Sequence, residues 1–405
     1  MQNNICNNCK SKNLKKVFSL GKLSFSGRFG KTLKENIPKD NLNLVICNSC
    51  KLVQLDRYFD PRYLYGKGYG YRTGINKTMT SHVKKTVQTA IKSVNIKSGD
   101  YVLDIASNDG TLLSFYPKNI KTVGIDPLIN KYKNYYKQID YKVSSFFQKN
   151  KILKLKLKKF KIITALSVFY DLRNPNDFLK DVKEILDDNG IFILEHADLY
   201  SIIKNNVFDT ICHEHLSYFS SKVIVEMVKK NNLRVFKHEF NDINGGSSRY
   251  FIVHEKSKYK TQSSVKRVLS LESKNKIEKI ETLQIFFKKI LSICNELSKL
   301  IKKIKQKKQS IHGYGASTKG NILLQFCRLG KKEIDFIADR NPLKFNLYTP
   351  GTKIKIISEN KSRKIQPNYY LVLPWHFKNE ILVREKKALK NKVKFIFPLP
   401  KLKIF

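Results

Sequence analysis

Three clusters in this 405-residue sequence combine side chains capable of chemistry. The first is His213-Glu214-His215, inside DTICHEHLSYFS. A neutral imidazole accepts a proton near physiological pH, and a neighbouring carboxylate can orient it or help move the proton. Consecutive side chains diverge, so at most two of the three can enter one cleft, with Tyr218 close behind. The histidines lack the i, i+4 spacing of HExxH, which argues against a helix-borne metalloprotease site. The second cluster is Cys6-Asn-Asn-Cys9 with Cys47-Asn-Ser-Cys50, 37 residues apart. Each pair offers two thiolates, and four thiolates complete a tetrahedral zinc site with no open position, hence a structural metal. The intervening loop must then carry structure of its own. A redox role is disfavoured because no strand–CxxC–helix context surrounds either pair.

The third cluster is Val102 to Gly110, VLDIASNDG, an apolar strand running into a tight polar turn. Backbone N–H groups of such a turn can meet a cofactor at the carboxyl end of a sheet. Asp126, 22 residues after Asp104, is spaced to bond ribose hydroxyls. No GxGxxG is present, so a pyrophosphate is not demanded. Asp104, Ser107, Asn108, Asp109, Gly110 and Asp126 fit a cofactor lacking phosphates, S-adenosylmethionine. Weaker signals are Tyr71 and Arg72 in YGYRTGINKTM, Gly245, Gly246 and Arg249 in NGGSSR, and Tyr314 and Lys319 in HGYGASTKGN, followed by Asp339. Arg249 could hold a carboxylate or phosphate, Lys319 a phosphate, and Asp339 a ribose. Ordinary turn chemistry explains each of these three equally well.

The elements that must position these groups alternate. Helical spacing over 77–97 precedes a strand running into a Gly-containing turn at 101–110 and apolar strands at 121–127, 161–168 and 191–196, with a helix ending at Gly190 before the last. A second cycle of strand, Gly-rich turn and helix begins at 309–327, with further strands in 333–342 and 369–377. Between the cycles, 260–308 reads as one or two amphipathic helices. Strands alternating with helices predict parallel sheets covered on both faces. The expected fold class is α/β: a Rossmann-like cofactor-binding domain with an N-terminal zinc-binding module and a second, C-terminal Rossmann-like domain. The expected divisions are 1–75, loop-rich and zinc-binding; 76–255, cofactor-binding; 256–308, a helical connector; and 309–405, the second α/β domain.

Composition narrows the function. With 41% hydrophobic residues the chain can bury sizeable cores. Seven cysteines, an odd number, are too few for a disulfide framework. No secretory signal or spanning helix is expected, so a cytoplasmic protein is. Lys and Arg total 78 against 33 acidic residues, a formal +45, but only 12 are Arg. Arg is the better residue for paired phosphate and base-edge contacts, so the charge reads chiefly as solvated lysine and not as a specific nucleic-acid surface.

The joint order of these motifs resembles the sugar C-methyltransferase family. CNNC…CNSC, LGKLSFSGRFG, YGYRTGINKTM, SNDGTLL, SVFYDLRNP, HEHLSYFS, GGSSR, GYGASTKGN and VLPWHF are similar to its text over nearly the whole chain. The resemblance implies methyl transfer from S-adenosylmethionine to a sugar carbon, C3 of a nucleotide-linked 4-keto-6-deoxyhexose in characterised relatives. It implies His215 as base, Glu214 beside it, Tyr71 near the sugar, and His213 as a further catalytic candidate. Ser167 would join the cofactor contacts, while Arg72, Gly245, Gly246, Arg249, Tyr314 and Lys319 would hold the substrate. Relatives carry Tyr at the position of Cys212 and His at that of Asp171, which puts the sugar's identity in question; Ala106 replaces a usual Gly. The partner expected is a small-molecule nucleotide sugar, with oligomeric state open. Two competing classes are a nucleic-acid methyltransferase using the basic surface and a non-catalytic S-adenosylmethionine-binding protein. Against the first, no NPPY-type tetrapeptide or Cys-Pro pair is present.

Overall fold

The computed structural model describes residues 2–65 and 70–405; Tyr69, which opens the YGYRTGINKTM motif, lies outside them. Strands β1 (Leu14–Ser24), β2 (Lys39–Cys47) and β3 (Val53–Leu55) form an antiparallel N-terminal sheet. This corrects the loop-rich reading of 1–75. A register shift between Ser19 and Lys22, beside Gly21, breaks the alternation that would have marked β1 as a strand.

Strands β4 (Tyr101–Ile105), β5 (Lys121–Ile125), β6 (Tyr141–Val143), β7 (Phe160–Leu166) and β8 (Leu186–Ala197) build the central sheet in the order β6-β5-β4-β7-β8, all parallel. The predicted helix before β8 ends at Ile185, not Gly190, and β8 begins earlier. The DDNG stretch is a shift in the β7–β8 ladder, where Phe160 pairs Leu186 but Ile162 pairs Ile191. Strand β9 (Ser217–Tyr218) leaves this region to pair with β3. Antiparallel strands β10 (Leu233–Asn241) and β11 (Ser247–His254) complete the edge beyond β8.

The third sheet runs β14-β13-β12-β15-β16-β17, from β12 (Ile311–Tyr314), β13 (Phe336–Asp339), β14 (Ile356–Ser358), β15 (Tyr369–Val372), β16 (Lys394–Phe397) and β17 (Lys403–Ile404). Its first five strands are parallel. Both large sheets therefore reverse direction of growth beside their first strand, β4 and β12, and ligands gather in such crevices at the strands' carboxyl ends.

Helices follow the expected stripes. Asn76 caps the helix Lys77–Ser93, accepting from the Met79 N–H at 3.1 Å, and Met79, Val83, Val87 and Ala90 face inward. The connector is two helices, Ser263–Lys274 and Ile280–Gln306. The longer buries Leu283, Phe286, Ile290, Cys294, Leu297, Ile301 and Ile304 along one face. Cys294 is disulfide-paired with Cys327, a single link and not a framework. No helix among the described residues is long and apolar enough to cross a membrane.

One hydrophobic cluster runs from the N-terminal sheet through the central sheet to the third. Phe18 of β1 stacks on Phe287 of the connector at 4.6 Å. Gly30 and Tyr348 exchange backbone hydrogen bonds of 2.9 and 2.8 Å, and Gln325 bonds both the N–H and C=O of Ser24. Trp375, after β15, donates its indole N–H to Asp209 at 2.8 Å and rests on Gly245. The two crevices are thereby held facing each other, with the N-terminal module across their side.

Candidate active site and metal centre

Within the N-terminal module the four cysteine sulfurs lie within 4.8 Å of one another. Cys6 and Cys50 Sγ are 3.4 Å apart, and Cys9 and Cys47 Sγ 3.5 Å apart. Sulfurs placed tetrahedrally on zinc at about 2.3 Å sit roughly 3.8 Å from one another, so the cluster fits the metal after slight expansion. Both knuckles use the same turn. Lys10 N–H donates to the Cys6 carbonyl at 3.1 Å and Lys51 N–H to that of Cys47 at 2.8 Å, each lysine at φ 61°. The chemistry of four thiolates with no open position suits a structural zinc.

A cavity of about 650 Å³ lies between the carboxyl ends of the central and third sheets, with Gly27, Phe29 and Phe59 closing it from the N-terminal module. On the central side it is lined by Asp104 of β4, Ala106, Ser107 and Asn108 after it, Asp126 after β5 and Ser167 after β7. Asp126 accepts from Asn108 N–H at 3.0 Å and Leu128 N–H at 2.7 Å, bracing the turn it faces. Burial pushes its carboxyl up to about 6, and that of Asp104 up to about 7. No cation pairs with Asp126 among the described residues, which suits hydrogen bonding to neutral ribose hydroxyls and fits S-adenosylmethionine.

Asp109 and Gly110 do not line the cavity. Asp109 accepts from Gly74 N–H at 3.0 Å and lies 3.6 Å from Arg72, so it holds the Arg72–Ile75 turn against the cofactor loop. Gly110 backs onto the Tyr136 ring. Arg72 itself does line the cavity, as does Tyr71 at its open edge, 43% exposed.

The His-Glu-His run divides as its geometry requires. His213 turns away, fully buried between Phe25 and Phe59, its Nε2 3.2 Å from the Asp40 carbonyl. It staples the module to the central domain and does not reach the cavity, correcting its place among the catalytic candidates. Glu214 and His215 line the cavity. Ser26 donates to Glu214 Oε2 at 3.3 Å, and a Cβ on Gly27 would come within 2.6 Å of Oε1. Burial raises the Glu214 carboxyl. His215 Nδ1 lies 2.7 Å from the Thr210 carbonyl oxygen, an acceptor only, so Nδ1 carries the proton and Nε2 the free lone pair. The Tyr170 ring packs at 4.1 Å. Burial, then the charge of Lys319, lowers the His215 pKa to about 3. The ring is a neutral base at physiological pH.

Of the two departures, Asp171 lines the cavity with Oδ1 unpartnered among the described residues, while Cys212 is wholly buried next to Glu214 in the chain. Gly245, Gly246 and Arg249 also lie outside the cavity lining. The two glycines admit close packing, since a Cβ on either would strike Trp375 or Ser201 at 2.6 Å. Arg249, 6% exposed, bonds Glu195 at 2.7 Å and Thr86 at 2.7 Å, and Glu239 lies 3.6 Å from its Nη1, so its guanidinium is turned to acids of the protein. Its partner Glu195 does line the cavity and sits 2.6 Å from His82 Nε2, which lines it too. These two were missed in the sequence because neither belongs to a recognisable spacing.

From the third sheet Tyr314, Lys319, Asp339 and His376 enter the lining. The Tyr314 hydroxyl donates to Glu385 at 2.6 Å and accepts from Arg384 at 2.7 Å. Asp339 accepts from Ala316 N–H and Asn341 N–H at 2.7 Å each, with the Lys344 ammonium at 3.7 Å. It braces its turn and offers little to a ribose. His376, whose Nδ1 has no hydrogen-bond partner among the described residues, carries no signal of its own within VLPWHF.

Comparison with known proteins accords with this three-part construction. Family models match a zinc binding domain at residues 6–65, a methyltransferase domain at 76–238, and a C-methyltransferase C-terminal domain at 242–400. C-methyltransferase NovU of Streptomyces niveus is 28% identical over 366 residues, 90% of this chain and 87% of that protein. Two solved structures are similar to part of the chain. An S-adenosylmethionine-dependent methyltransferase from Clostridium acetobutylicum is 12% identical, spanning 43% of this chain and 92% of that one, TM-score 0.35. Magnesium protoporphyrin IX methyltransferase from Synechocystis PCC 6803 with bound SAH is 14% identical, spanning 48% and 92%, TM-score 0.33.

Proposed function

We propose that this chain, whose three parts match models for a zinc binding domain, a methyltransferase domain and a C-methyltransferase C-terminal domain and which is similar to C-methyltransferase NovU over 90% of its length, is an S-adenosylmethionine-dependent C-methyltransferase that methylates the carbon beside the ketone of a nucleotide-linked keto-deoxysugar, with His215 as base. The observation that carries this reading is the Thr210 carbonyl at His215 Nδ1, which leaves Nε2 unprotonated inside the cavity that Asp126 also faces.

A carbonyl acidifies the C–H next to it. His215 Nε2 takes that proton, and the electrons of the broken C–H bond become the enolate's double bond. S-adenosylmethionine, when bound, supplies the electrophilic methyl group that the enolate carbon takes. Asp126 would hold its ribose, with Asp104, Ser107, Asn108 and Ser167 around the rest. Glu214, buried and braced by Ser26, would keep the imidazole's surroundings fixed, and Tyr71 and Arg72 would close the mouth over the sugar. Positioning the two reactants in one dry cavity supplies much of the rate. The division of labour at residues 75, 255 and 308 follows: a metal-clipped wall, a cofactor and base domain, a connector, and a substrate domain.

Mass spectrometry of reactions with a panel of nucleotide 4-keto sugars tests this. A gain of one CH2 with loss of a single ring-proton NMR signal is expected; cofactor binding without any methylated sugar would overturn the substrate assignment.

A further inference from the structure

Lys319 stands in the first turn of the helix Thr318–Phe326, after the Ser317 cap. Its ammonium does not stay above its own sheet. It reaches across the cavity to donate to the Asn244 carbonyl oxygen at 2.6 Å, in the turn between β10 and β11. No carboxylate closes an ion pair with it among the described residues; Asp209, whose charge it feels, is bonded to Trp375. One of its three N–H donors is thus engaged, and two remain for the cavity it lines.

Holding an ammonium in a half-buried place without a bonded anion costs stability, and an apolar side chain of the same length would pack there without that cost. The groups around it explain its presence. His215 and His376 both have their imidazoles kept neutral by burial and by the Lys319 charge. The other neighbours of His215 carry no opposing cation: the Thr210 carbonyl, the Tyr170 ring and the adjacent Glu214. A phosphate-holding role would leave the ammonium at the Gly-rich turn, whereas it bonds to Asn244 of the β10–β11 turn, in the cavity that His215 also lines.

Removing a proton beside a ketone moves negative charge onto the carbonyl oxygen, so fixed donors are needed close to the base. We propose that Lys319 is a catalytic residue of the enolisation step, its ammonium receiving the negative charge that develops on the substrate's carbonyl oxygen. The C–H bond breaks, its proton goes to His215 Nε2, its electron pair forms the carbon–carbon double bond, and the carbonyl π pair moves onto the oxygen beside Lys319. The inference rests on the keto-sugar reading above. It assigns to the C-terminal domain a part in the chemistry and not only in holding the nucleotide.

The test uses full-length Lys319→Met and Lys319→Arg. In the first arm the His215 ring is titrated by NMR without substrate. Lys319→Met is expected to raise the midpoint and Lys319→Arg to hold it near wild type, with a melting temperature for Lys319→Met no lower than wild type. In the second arm, transfer to thymidine diphosphate 4-keto-6-deoxyglucose should fall ~100-fold or more in kcat for Lys319→Met, with cofactor Kd within about threefold. An unmoved midpoint overturns the inference, and so does transfer by Lys319→Met within about twofold of wild type. If wild type leaves this sugar unmethylated while the midpoint moves, the substrate reading is what fails, and the placement of Lys319 against the base is supported.

Discussion

The two large sheets carry the same brace at their mouths and use it differently. After β4, Asn108 N–H donates to Asp126 at 3.0 Å, and Asp126 also takes Leu128 N–H. After β12, Ala316 N–H donates to Asp339 at 2.7 Å, and Asp339 also takes Asn341 N–H. In each, an acid at the end of the second strand fastens the turn that follows the first. What differs is the cation. Lys344 stands 3.7 Å from Asp339, so its charge is satisfied within the protein. Asp126 has no such partner among the described residues, and burial holds its carboxyl up to about 6. A motif of strand, turn and distant acid therefore marks a fold; the counter-charge decides whether the acid is left for a ligand.

That difference can be broken from either side. The largest effect belongs to the base that the central mouth presents: His215→Ala should lower methyl transfer by ~1,000-fold while cofactor affinity by calorimetry stays within a few-fold. Near-full activity would remove His215 as base. Next, Asp126→Ala should weaken S-adenosylmethionine binding by ~10–100-fold through lost charged hydrogen bonds. Asp339→Ala should leave that Kd alone and lower the melting temperature instead. Equal losses in both variants would mean that the two braces serve the cofactor alike.

A smaller effect is set by pH. Asp126 has a folded pKa raised above the carboxylate range, so its contribution to stability is complete below its unfolded pKa and lost as pH rises through about 6. Function runs the other way, since only the ionised form accepts two ribose hydroxyls. Cofactor affinity should fall as pH drops through about 6 in wild type, and stay flat in Asp126→Ala. The smallest effect concerns Ala106, held at φ 61° in the turn above β4. Replacement by glycine relieves the left-handed strain and should raise stability by up to ~1 kcal/mol in a denaturant melt, with activity retained.

Much of the site is legible in residue types and rather less in their directions. Cys6, Cys9, Cys47 and Cys50 are readable because two CxxC turns have one economical use, and the structure gathers all four. Asp126 and the Val102–Gly110 strand and turn follow from spacing alone. His213 and His215, by contrast, are the same residue two positions apart, and the chain sends one between Phe25 and Phe59 and the other into the cavity. Arg249 looks like an anion holder until Glu195, opposite it across the β8–β11 ladder, takes its guanidinium. The β1–β2 sheet is hidden by its bulge beside Gly21.

The sequence by itself determines the alternation of strands and helices from residue 77 onward, where a metal can be held, and which side chains are able to move a proton or meet a ribose. Periodicity, capping and turn chemistry are local, and local physics is written in neighbouring residues. The tertiary structure alone decides that the two crevices face each other. It brings Thr210 to His215 Nδ1, Lys344 to Asp339, and Lys319 across the cavity to Asn244, 75 residues before it in the chain. Which tautomer is basic and which charge is free depend on those long-range partners, and no spacing along the chain encodes them.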